Sequence, residues 1–280
     1  MLLSAADLTI DHVTVAGKDL KAMRATLAAL GIPSDYGGPH SNRATEMALT
    51  SFPDGSYLEL IAIQTNADPA AVATHYWSKS MQNNGGPCAW AVRPQDFDSE
   101  MKRLQARGLA VQPARSGRAR PDGVHLEWEA APVGPGPNGV FFPFLIRDFT
   151  PREQRATPSG KPSTQDFTGV ARVVIAVRDL QASIKRYRDA YALPAPVEQS
   201  ETSFGARLAS FAGTPVVLAT PSNPQSWLAA RISNTGEGPS AFILHARNAK
   251  SYRVTSKGTW FGAPISWLDT GKTGWWLGFE

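Results

Sequence analysis

The chain repeats itself, and this constrains the fold more than any single motif because matching segments must form matching structural units. Residues 12–20 match residues 172–180 at a constant offset of 160 positions. Residues 86–90 match residues 238–242 in the same way, at an offset of 152 positions. Each half of the sequence therefore contains two similar units.

Each unit begins with a short apolar run of β type, and a helical segment is expected to follow that run. In the first and third units the change from strand to helix falls at Asp19 and Asp179. Further β-type segments occur at residues 124–128 and 141–146. The pattern predicts an α+β fold of four tandem βαβββ-like units. The helical stripes are Leu20, Met23, Leu27 and Leu30; Phe97, Met101 and Leu104; and Leu180, Ile184, Tyr187 and Tyr191.

A segment rich in Pro, Ser, Thr, Gln and charged residues lies between the two halves, and such a composition is typical of a linker. We predict a first domain over residues 1–149, a linker over residues 150–166 and a second domain over residues 167–280. A chain of 280 residues with 42% apolar residues is long enough to form two such domains.

Composition and charge exclude several classes of protein. The net charge is +4, but the densest basic stretch, residues 115–120, holds three arginines without a nucleic-acid recognition motif. No apolar run approaches the roughly 20 residues that span a bilayer, and the first seven residues lack the pattern of a secretory signal. The single cysteine, Cys88, cannot form an internal disulfide. We therefore expect a cytoplasmic protein without nucleic-acid or membrane partners.

Two polar residues interrupt apolar β-type runs and carry the strongest chemical signal. His12 lies in residues 10–16, and Glu59 lies in residues 57–62. Burying a carboxylate without a partner costs several kcal/mol, on the order of the penalty for an unpaired buried charge. Coordination of a divalent metal would offset that cost, because imidazole and carboxylate are both metal ligands. The alternative is a core histidine with satisfied hydrogen bonds and a solvated glutamate on an edge strand.

Four motifs occur in a fixed order in the first half: residues 11–15, residues 37–40, residues 54–62, and residues 120–123 followed by Trp128 and residues 142–146. In this order they resemble the vicinal oxygen chelate superfamily, and within it the glyoxalase-like branch. The resemblance covers about the first 150 residues, and the second half matches as a weaker repeat. It implies two glyoxalase/dioxygenase-like domains in which paired βαβββ units curl their sheets into half-open cups.

The resemblance also implies a divalent metal ion, with Zn, Fe, Mn and Ni not distinguished. Members of the superfamily hold it through a His on the first strand of a unit and a Glu on the last, and His12 and Glu59 match these positions. His40, in a glycine-containing loop, is the leading candidate for a third ligand, with a loop hydrogen bond as the alternative. His125 is the second candidate.

The chain departs from the full superfamily pattern. Ala89 stands where a second His is expected, and Phe144 stands where a second Glu is expected. In the second half, Arg172 replaces the His and an apolar residue near Leu218 replaces the Glu. We therefore expect a degenerate second domain that binds no metal in this manner. His75, in an apparent connector, and His245 are interpreted as structural or exposed residues.

The resemblance implies an enzyme: a metal-assisted lyase, isomerase or dioxygenase that acts on a small oxygen-rich substrate. Glu59 and His40 are the candidate catalytic residues, and Arg120 with Asp122 are the candidate substrate-binding residues. A local salt bridge between Arg120 and Asp122 is the alternative for that pair. The other hypothesis is a metal-free protein that binds or sequesters a small molecule, supported by the missing ligands and the eight tryptophans. A homodimer is possible in either case.

Overall fold

The computed structural model describes residues 6–271, 273 and 275–280. The first seven residues, interpreted above as lacking a secretory signal, thus lie mostly outside the described residues. In the first half, twelve helices and strands precede the predicted linker. They are β1 Ile10–Ala16, α1 Leu20–Ala29, β2 Asp35–Pro39, β3 Thr45–Ser51, β4 Tyr57–Ile63, α2 Pro69–Thr74, α3 Ser78–Gln82, β5 Gly86–Val92, α4 Phe97–Ala106, β6 Ala114–Ala119, β7 His125–Ala131 and β8 Phe144–Asp148.

The second half has a similar order of elements, preceded by a short helix in the predicted linker. Its elements are α5 Arg152–Ala156, β9 Phe167–Ala176, α6 Leu180–Tyr191, β10 Val197–Glu201, β11 Ala206–Ser210, β12 Val216–Pro221, α7 Trp227–Thr235, β13 Gly238–Ala246, β14 Val254–Trp260, β15 Ala263–Leu268 and β16 Trp276–Phe279. No described helix has the length and apolar character needed to cross a bilayer.

The repeated Asp-Leu pairs begin helices. The Asp19 side chain accepts a hydrogen bond from the backbone N–H of Ala22, and the Asp179 side chain accepts one from Ala182, each at 3.0 Å. These carboxylates satisfy backbone N–H groups that have no partner within the first helical turn. At the other end of α1, Gly31 has φ +82°, a left-handed conformation that favours glycine and ends the helix.

The strands form two eight-stranded sheets with the same topology. Their strand orders are β2-β3-β4-β1-β5-β8-β7-β6 and β10-β11-β12-β9-β13-β16-β15-β14. In the first sheet, β1 and β5 pair antiparallel at the centre, and each is parallel to the last strand of its own unit. The predicted α+β fold with tandem βαβββ units is confirmed. The domain bounds stay predictions, and β8 ends at Asp148 while β9 begins at Phe167.

The first sheet curls until its two edge strands meet. The Arg118 guanidinium on β6 donates a hydrogen bond to the backbone carbonyl of Gly37 on β2. In the loop after β2, the Ser41 hydroxyl donates to the Gly117 carbonyl at 2.6 Å. Contact between opposite edges converts the open sheet into a nearly closed cup. Closure also covers edge strands that would otherwise present unpaired backbone groups.

The central strand pairs of the two sheets share two β-bulges at matching positions, and the β9–β13 pair has a third irregularity near its end. In the first sheet the pairing shifts around Asp11 on β1 and around Cys88 on β5. In the second sheet it shifts around Ala171 on β9 and Ser240 on β13. These positions keep the offsets of 160 and 152 residues, so the repeat extends to irregularities of the backbone. A bulge re-aims one side chain, and bulges are common beside functional sites.

The two faces of the first sheet have different partners. Its outer face contributes Val13, Val15, Leu58 and Leu60 to a large core that also includes residues of the second sheet. Its inner face, which lines the cup, forms a separate apolar cluster that includes Met47, Tyr57 and other residues. The domains therefore pack through their outer faces, and the inner face of the first sheet packs separately from the second domain.

The fourth unit differs from the other three. Between β13 and β14 the described residues 247–253 form turns and bends, where a helix stands in the other units. This segment is only seven residues long, whereas α1, α4 and α6 have 10 to 12 residues each. The fourth unit is thus a βαβββ-like unit without its helix.

Candidate functional site

The cup of the first sheet encloses a cavity of about 390 Å³. Its walls combine apolar and aromatic side chains with polar groups, and such a concave mixture suits a small molecule. The polar groups come from strands β1, β4 and β6, from helix α5 and from the connections β2–β3, α2–α3 and β7–β8. The residues that the following paragraphs use are His12, His40, Tyr57, Glu59, His75, Trp77, Arg118, Trp128, Phe144 and Arg155.

His12 is fixed in the cup by a hydrogen bond and by ring stacking. Its Nδ1 lies 2.6 Å from the Asp11 carboxylate, and its ring stacks on Tyr57 with centroids 4.7 Å apart. Because an ionised carboxylate only accepts hydrogen bonds, we assign the imidazole proton to Nδ1. The Nε2 lone pair of His12 is then available inside the cavity.

The Asp11 carboxylate is fully buried and held by two arginines from α5. Arg155 Nη2 lies 3.0 Å from Asp11 Oδ2, and Arg152 also contacts this carboxylate. Burial alone would raise the pKa of Asp11, but the two guanidiniums and the His12 hydrogen bond hold the pKa well below its ordinary value. Arg155 also donates to the Tyr57 hydroxyl. The segment predicted as a linker therefore supports the site.

Glu59 lies at the centre of the polar groups. Thr14, its neighbour across the parallel β1–β4 pair, donates a hydrogen bond to Glu59 Oε2 at 2.9 Å. His12 Nε2 lies 3.9 Å from Oε2, and His40 Nε2 lies 3.8 Å from Oε1. The structure thus brings together the three predicted metal ligands.

His40 reaches the cup from the loop between β2 and β3. Its backbone N–H donates to the Thr45 carbonyl at 2.7 Å, and its Nδ1 lies 2.8 Å from the Thr45 hydroxyl. Burial is the main cause that lowers the pKa of His40 to about 4, and the Glu59 carboxylate offsets it in part. His40 is therefore a neutral imidazole at pH 7, the form that binds metals.

The donor set fits a divalent cation chemically. With His12 protonated at Nδ1, its Nε2 and the Glu59 carboxylate are both acceptors, and neutral His40 adds a second imidazole to the group. The separations of 3.8 and 3.9 Å exceed the roughly 3.4 Å expected between two ligands about 2.1 Å from one tetrahedral ion. Accordingly, no described group of three or more His, Cys, Asp and Glu side chains has the close spacing of a preformed metal centre.

The predicted substrate-binding pair lies outside the cavity. Arg120 Nη2 is 2.5 Å from Asp122 Oδ2, and the Arg120 guanidinium also donates to the backbone carbonyls of Gln154 and Pro158. This is the local salt bridge considered as the alternative. A substrate-binding role for this pair stays a prediction that the geometry does not favour. Arg118, two positions earlier on β6, lines the cavity instead.

The other three histidines differ in their exposure to solvent. His125 and His245 are exposed. His75, interpreted as structural or exposed, is half-buried and lines the cavity. Its pKa is lowered because burial disfavours the imidazolium, and the nearby Glu59 partly offsets this effect. The buried Cys88 thiol has its pKa raised by burial, which keeps it protonated and unreactive.

The sequence did not assign Tyr57, His75 or Arg155 to the site, and it indicated Arg118 only as one of the three arginines in residues 115–120. Tyr57 had a usable signal, because it lies two positions before Glu59 and so faces the same side of β4. His75 and Arg155 had none. Both belong to connecting segments whose path over the sheet is set by tertiary packing.

Strand register identifies the residues that stand at the positions of the missing ligands. Thr14 pairs with Glu59 in the first unit, and Ala91 pairs with Phe144 in the second, so Phe144 occupies the position of a second Glu. In the second sheet Val174 pairs with Val217. The counterpart of Glu59 is therefore Val217, one position before the expected Leu218.

Arg172, at the position that corresponds to His12, does not face an open cup. Its Nε lies 2.7 Å from the Glu280 carboxylate.

The second cup is filled by its own side chains. Phe204 is fully buried and stacks on Trp267, with ring centroids 5.2 Å apart. Trp260 lies edge-on to both rings, and Trp276 packs at the same cluster. Phe204 lies in the loop between β10 and β11, the counterpart of the loop that carries His40. That loop thus places the imidazole of His40 in one cup and an aromatic plug in the other.

The sequence model of the glyoxalase-like domain family matches residues 10–191, which include the first sheet, α5 and the start of the second half. The chain belongs to the glyoxalase-like domain family. No curated protein matches the sequence.

Solved structures of low sequence identity share the fold. A hypothetical protein from Staphylococcus aureus is 14% identical with a TM-score of 0.67, and the match covers 97% of this chain and 98% of that one. A variant of 4-hydroxymandelate synthase from Streptomyces coelicolor is 11% identical with a TM-score of 0.59, covering 98% and 92%. Methylmalonyl-CoA epimerase from Mycobacterium tuberculosis is 20% identical over 41% of this chain and 89% of that one, with a TM-score of 0.37. The two full-length matches confirm the tandem fold.

Proposed function

We propose that this glyoxalase-like protein is an enzyme of the vicinal oxygen chelate type, acting on a small oxygen-rich substrate in the first cup. A divalent metal ion would be held by His12, Glu59 and His40. One observation carries the proposal: two imidazole Nε2 atoms approach the two oxygens of a single buried carboxylate, at 3.9 and 3.8 Å. Lone pairs that face each other in a mostly buried site repel unless a cation or a proton lies among them.

When bound, the metal would supply Lewis-acid stabilisation of negative charge on substrate oxygen, worth several kcal/mol in the transition state. The reaction would be a lyase, isomerase or dioxygenase reaction. The protein's own groups would manage the protons. Thr14 occupies Glu59 Oε2, so Oε1 is the freer oxygen and the one suited to accept a substrate proton. His40 Nε2, 3.8 Å from Oε1, has one lone pair, so His40 would receive that proton in turn only where it is not a ligand of the metal.

Aromatic walls would orient the substrate and exclude water. Trp77 is buried and fixed by a hydrogen bond from Nε1 to the Asn138 carbonyl at 3.0 Å. Phe144 lies edge-on to His12, with ring centroids 5.3 Å apart. Rigid apolar surfaces of this kind strengthen nearby electrostatic interactions because they exclude water.

The test is metal binding to purified protein. Protein prepared without chelators, and then exposed separately to Zn, Fe, Mn and Ni, should hold close to one ion per chain by elemental analysis. His12→Ala and Glu59→Gln should abolish this binding, and His40→Ala should weaken it. His125→Ala and His245→Ala are matched controls, because both side chains are exposed and neither lines the cavity. Retained metal in Glu59→Gln would overturn the proposed ligand set.

A metal-free small-molecule-binding protein is the second candidate. The observation that favours it is the spacing of the three candidate ligands, which is wider than that of a preformed centre. In that case wild-type protein would bind no divalent ion after repletion, and His12 would act with Glu59 as a hydrogen-bonding wall for the ligand. A homodimer and a cytoplasmic location remain predictions under either proposal.

A further inference from the structure

Arg118 is a buried cation with a donor that has no partner. The residue is 5% exposed, and its Nη2 has no hydrogen bond within the described residues. Nη1 donates to the Gly37 carbonyl, which fixes the direction of the guanidinium. A buried N–H group without a partner destabilises the protein, and more so when it belongs to a charged group. A ligand in the cavity that Arg118 lines would remove this cost.

The other arginines on the cavity wall already have interaction partners. Arg155 is paired with Asp11 and with Asp148. Arg115 is exposed and lies over the Phe149 ring at 4.2 Å. Among the described lining residues, Arg118 is therefore the buried cation without an anionic partner.

The surroundings of Arg118 favour a particular anion. Tyr57 and Glu59 are close enough to act on its charge, while burial lowers its pKa to about 10, so it stays protonated at pH 7. One guanidinium balances one negative charge on a ligand, so the site suits a monoanion better than a dianion, whose second charge would stay uncompensated near the Glu59 carboxylate. The aromatic side chains on this wall include Trp128 and Phe144.

We propose that Arg118 Nη2 binds the carboxylate of the substrate, whose apolar body packs against the aromatic wall of the first cup. The substrate class is thus a small organic monocarboxylate. This inference rests on the proposed function because it uses the same cavity, but carboxylate binding by Arg118 requires no metal. Charged hydrogen bonds from a guanidinium to a carboxylate are among the strongest that proteins make.

The probe is benzoate, compared with benzamide, a neutral molecule of the same shape, and with phenyl phosphate, a dianion at neutral pH. Binding to chelator-treated wild-type protein is measured by calorimetry. Benzoate should bind roughly tenfold or more tightly than benzamide, the ratio expected for one charged hydrogen bond. Preference for phenyl phosphate would overturn the assignment to a monocarboxylate, and equal binding of benzoate and benzamide would overturn the role of Arg118.

Arg118→Met should weaken benzoate binding roughly tenfold or more and leave benzamide binding within about twofold. Arg207→Met, at an exposed arginine on β11 of the second sheet, is the matched control and should change neither. A purely structural role for Arg118 would weaken both probes together, which would contradict the inference. If Arg118→Met does not fold, Arg118→Lys should retain part of the preference for benzoate, and full retention would contradict a requirement for the guanidinium.

The metal-site proposal and the Arg118 proposal can be tested independently of each other. Glu59→Gln removes the proposed metal site and should still bind benzoate in preference to benzamide. Loss of metal binding with retained benzoate preference would support both proposals. Absence of metal binding in the wild type, with benzoate preference intact, would leave Arg118 as a carboxylate site in a metal-free binding protein.

Discussion

Asp11 Oδ1 lies 2.6 Å from His12 Nδ1, although the two residues are consecutive in one strand. Successive side chains of a regular strand point to opposite faces, so such a contact requires an irregular backbone. The β-bulge at Asp11 supplies the irregularity. The equivalent bulge in the second sheet carries Ala171, which has no polar group to orient a neighbour. The same backbone feature therefore serves the site in only one domain.

Asp11→Asn should weaken metal binding about tenfold to a hundredfold, the usual effect of removing a carboxylate that orients a metal-binding histidine. The amide can present either an oxygen or a nitrogen to His12, so the tautomer of the imidazole is no longer fixed. Affinity is measured by competition with a chelator at pH 7. Asp122→Asn removes an exposed carboxylate and should leave the affinity unchanged. Equal affinities for the two variants would count against the orienting role.

His40 should make the protein less stable as the pH falls from about 6.5 to about 4. The pKa of His40 is about 4 in the folded protein and 6.5 in the unfolded chain, so the unfolded chain binds the proton first. Protonation therefore favours unfolding in that range, and the effect is complete once both states are protonated. His40→Gln should flatten this part of the curve of unfolding free energy against pH, measured by urea denaturation. His245→Gln, at an exposed site, should not, and equal slopes for both variants would refute the burial effect.

Thr14→Val should destabilise the protein by about 1–2 kcal/mol, because Glu59 Oε2 loses its hydrogen bond while remaining buried. Valine has nearly the shape of threonine, so the apolar packing of β1 is preserved. Thr14→Ser keeps the hydroxyl and is the control, with a smaller loss expected. The measurement is the free energy of unfolding at pH 7. An unchanged value for Thr14→Val would show that the hydroxyl does not support the carboxylate.

Phe204→Ala should destabilise the protein by about 3–5 kcal/mol, as expected when a large buried ring is removed from a packed core. It should not change metal binding at the first cup, since Phe204 packs only in the second. Unfolding by urea and elemental analysis of the same preparation test both statements. Loss of metal from a folded Phe204→Ala protein would contradict the separation of the two cups.

The repeat in the sequence predicted most of the fold because topology follows from the order of the units. The helix starts at Asp19 and Asp179 were correct, since a capping carboxylate acts on its own helix. The predicted bounds of the last strand of the first domain were less accurate: a strand segment was predicted at residues 141–146, and β8 is observed at Phe144–Asp148. The missing helix of the fourth unit was also not anticipated. Strand ends and short connections depend on packing with distant segments, which periodicity does not contain.

The site was predictable where it lies on regular strands and not where it depends on connections. Glu59 and His12 follow from alternation on neighbouring strands. Arg155 could not be predicted, because it contacts Asp11 across 144 positions from a segment whose composition is typical of a linker. The sequence did not show which of Arg118 and Arg120 lines the cavity, because this depends on where β6 ends. It ends at Ala119. Arg118 lies within that strand, and Arg120 lies in the turn that follows.

The aromatic plug of the second cup also determines how the protein can be observed. Trp260 and Trp267 are fully buried in that cluster, and Trp227 and Trp276 pack against it. Trp77 and Trp128 line the open cup of the first domain. A small molecule that enters the open cup can therefore quench the emission of two tryptophans directly. The emission of the plug stays constant until the second domain unfolds, so intrinsic fluorescence can report binding and unfolding as two separate signals from an unlabelled chain.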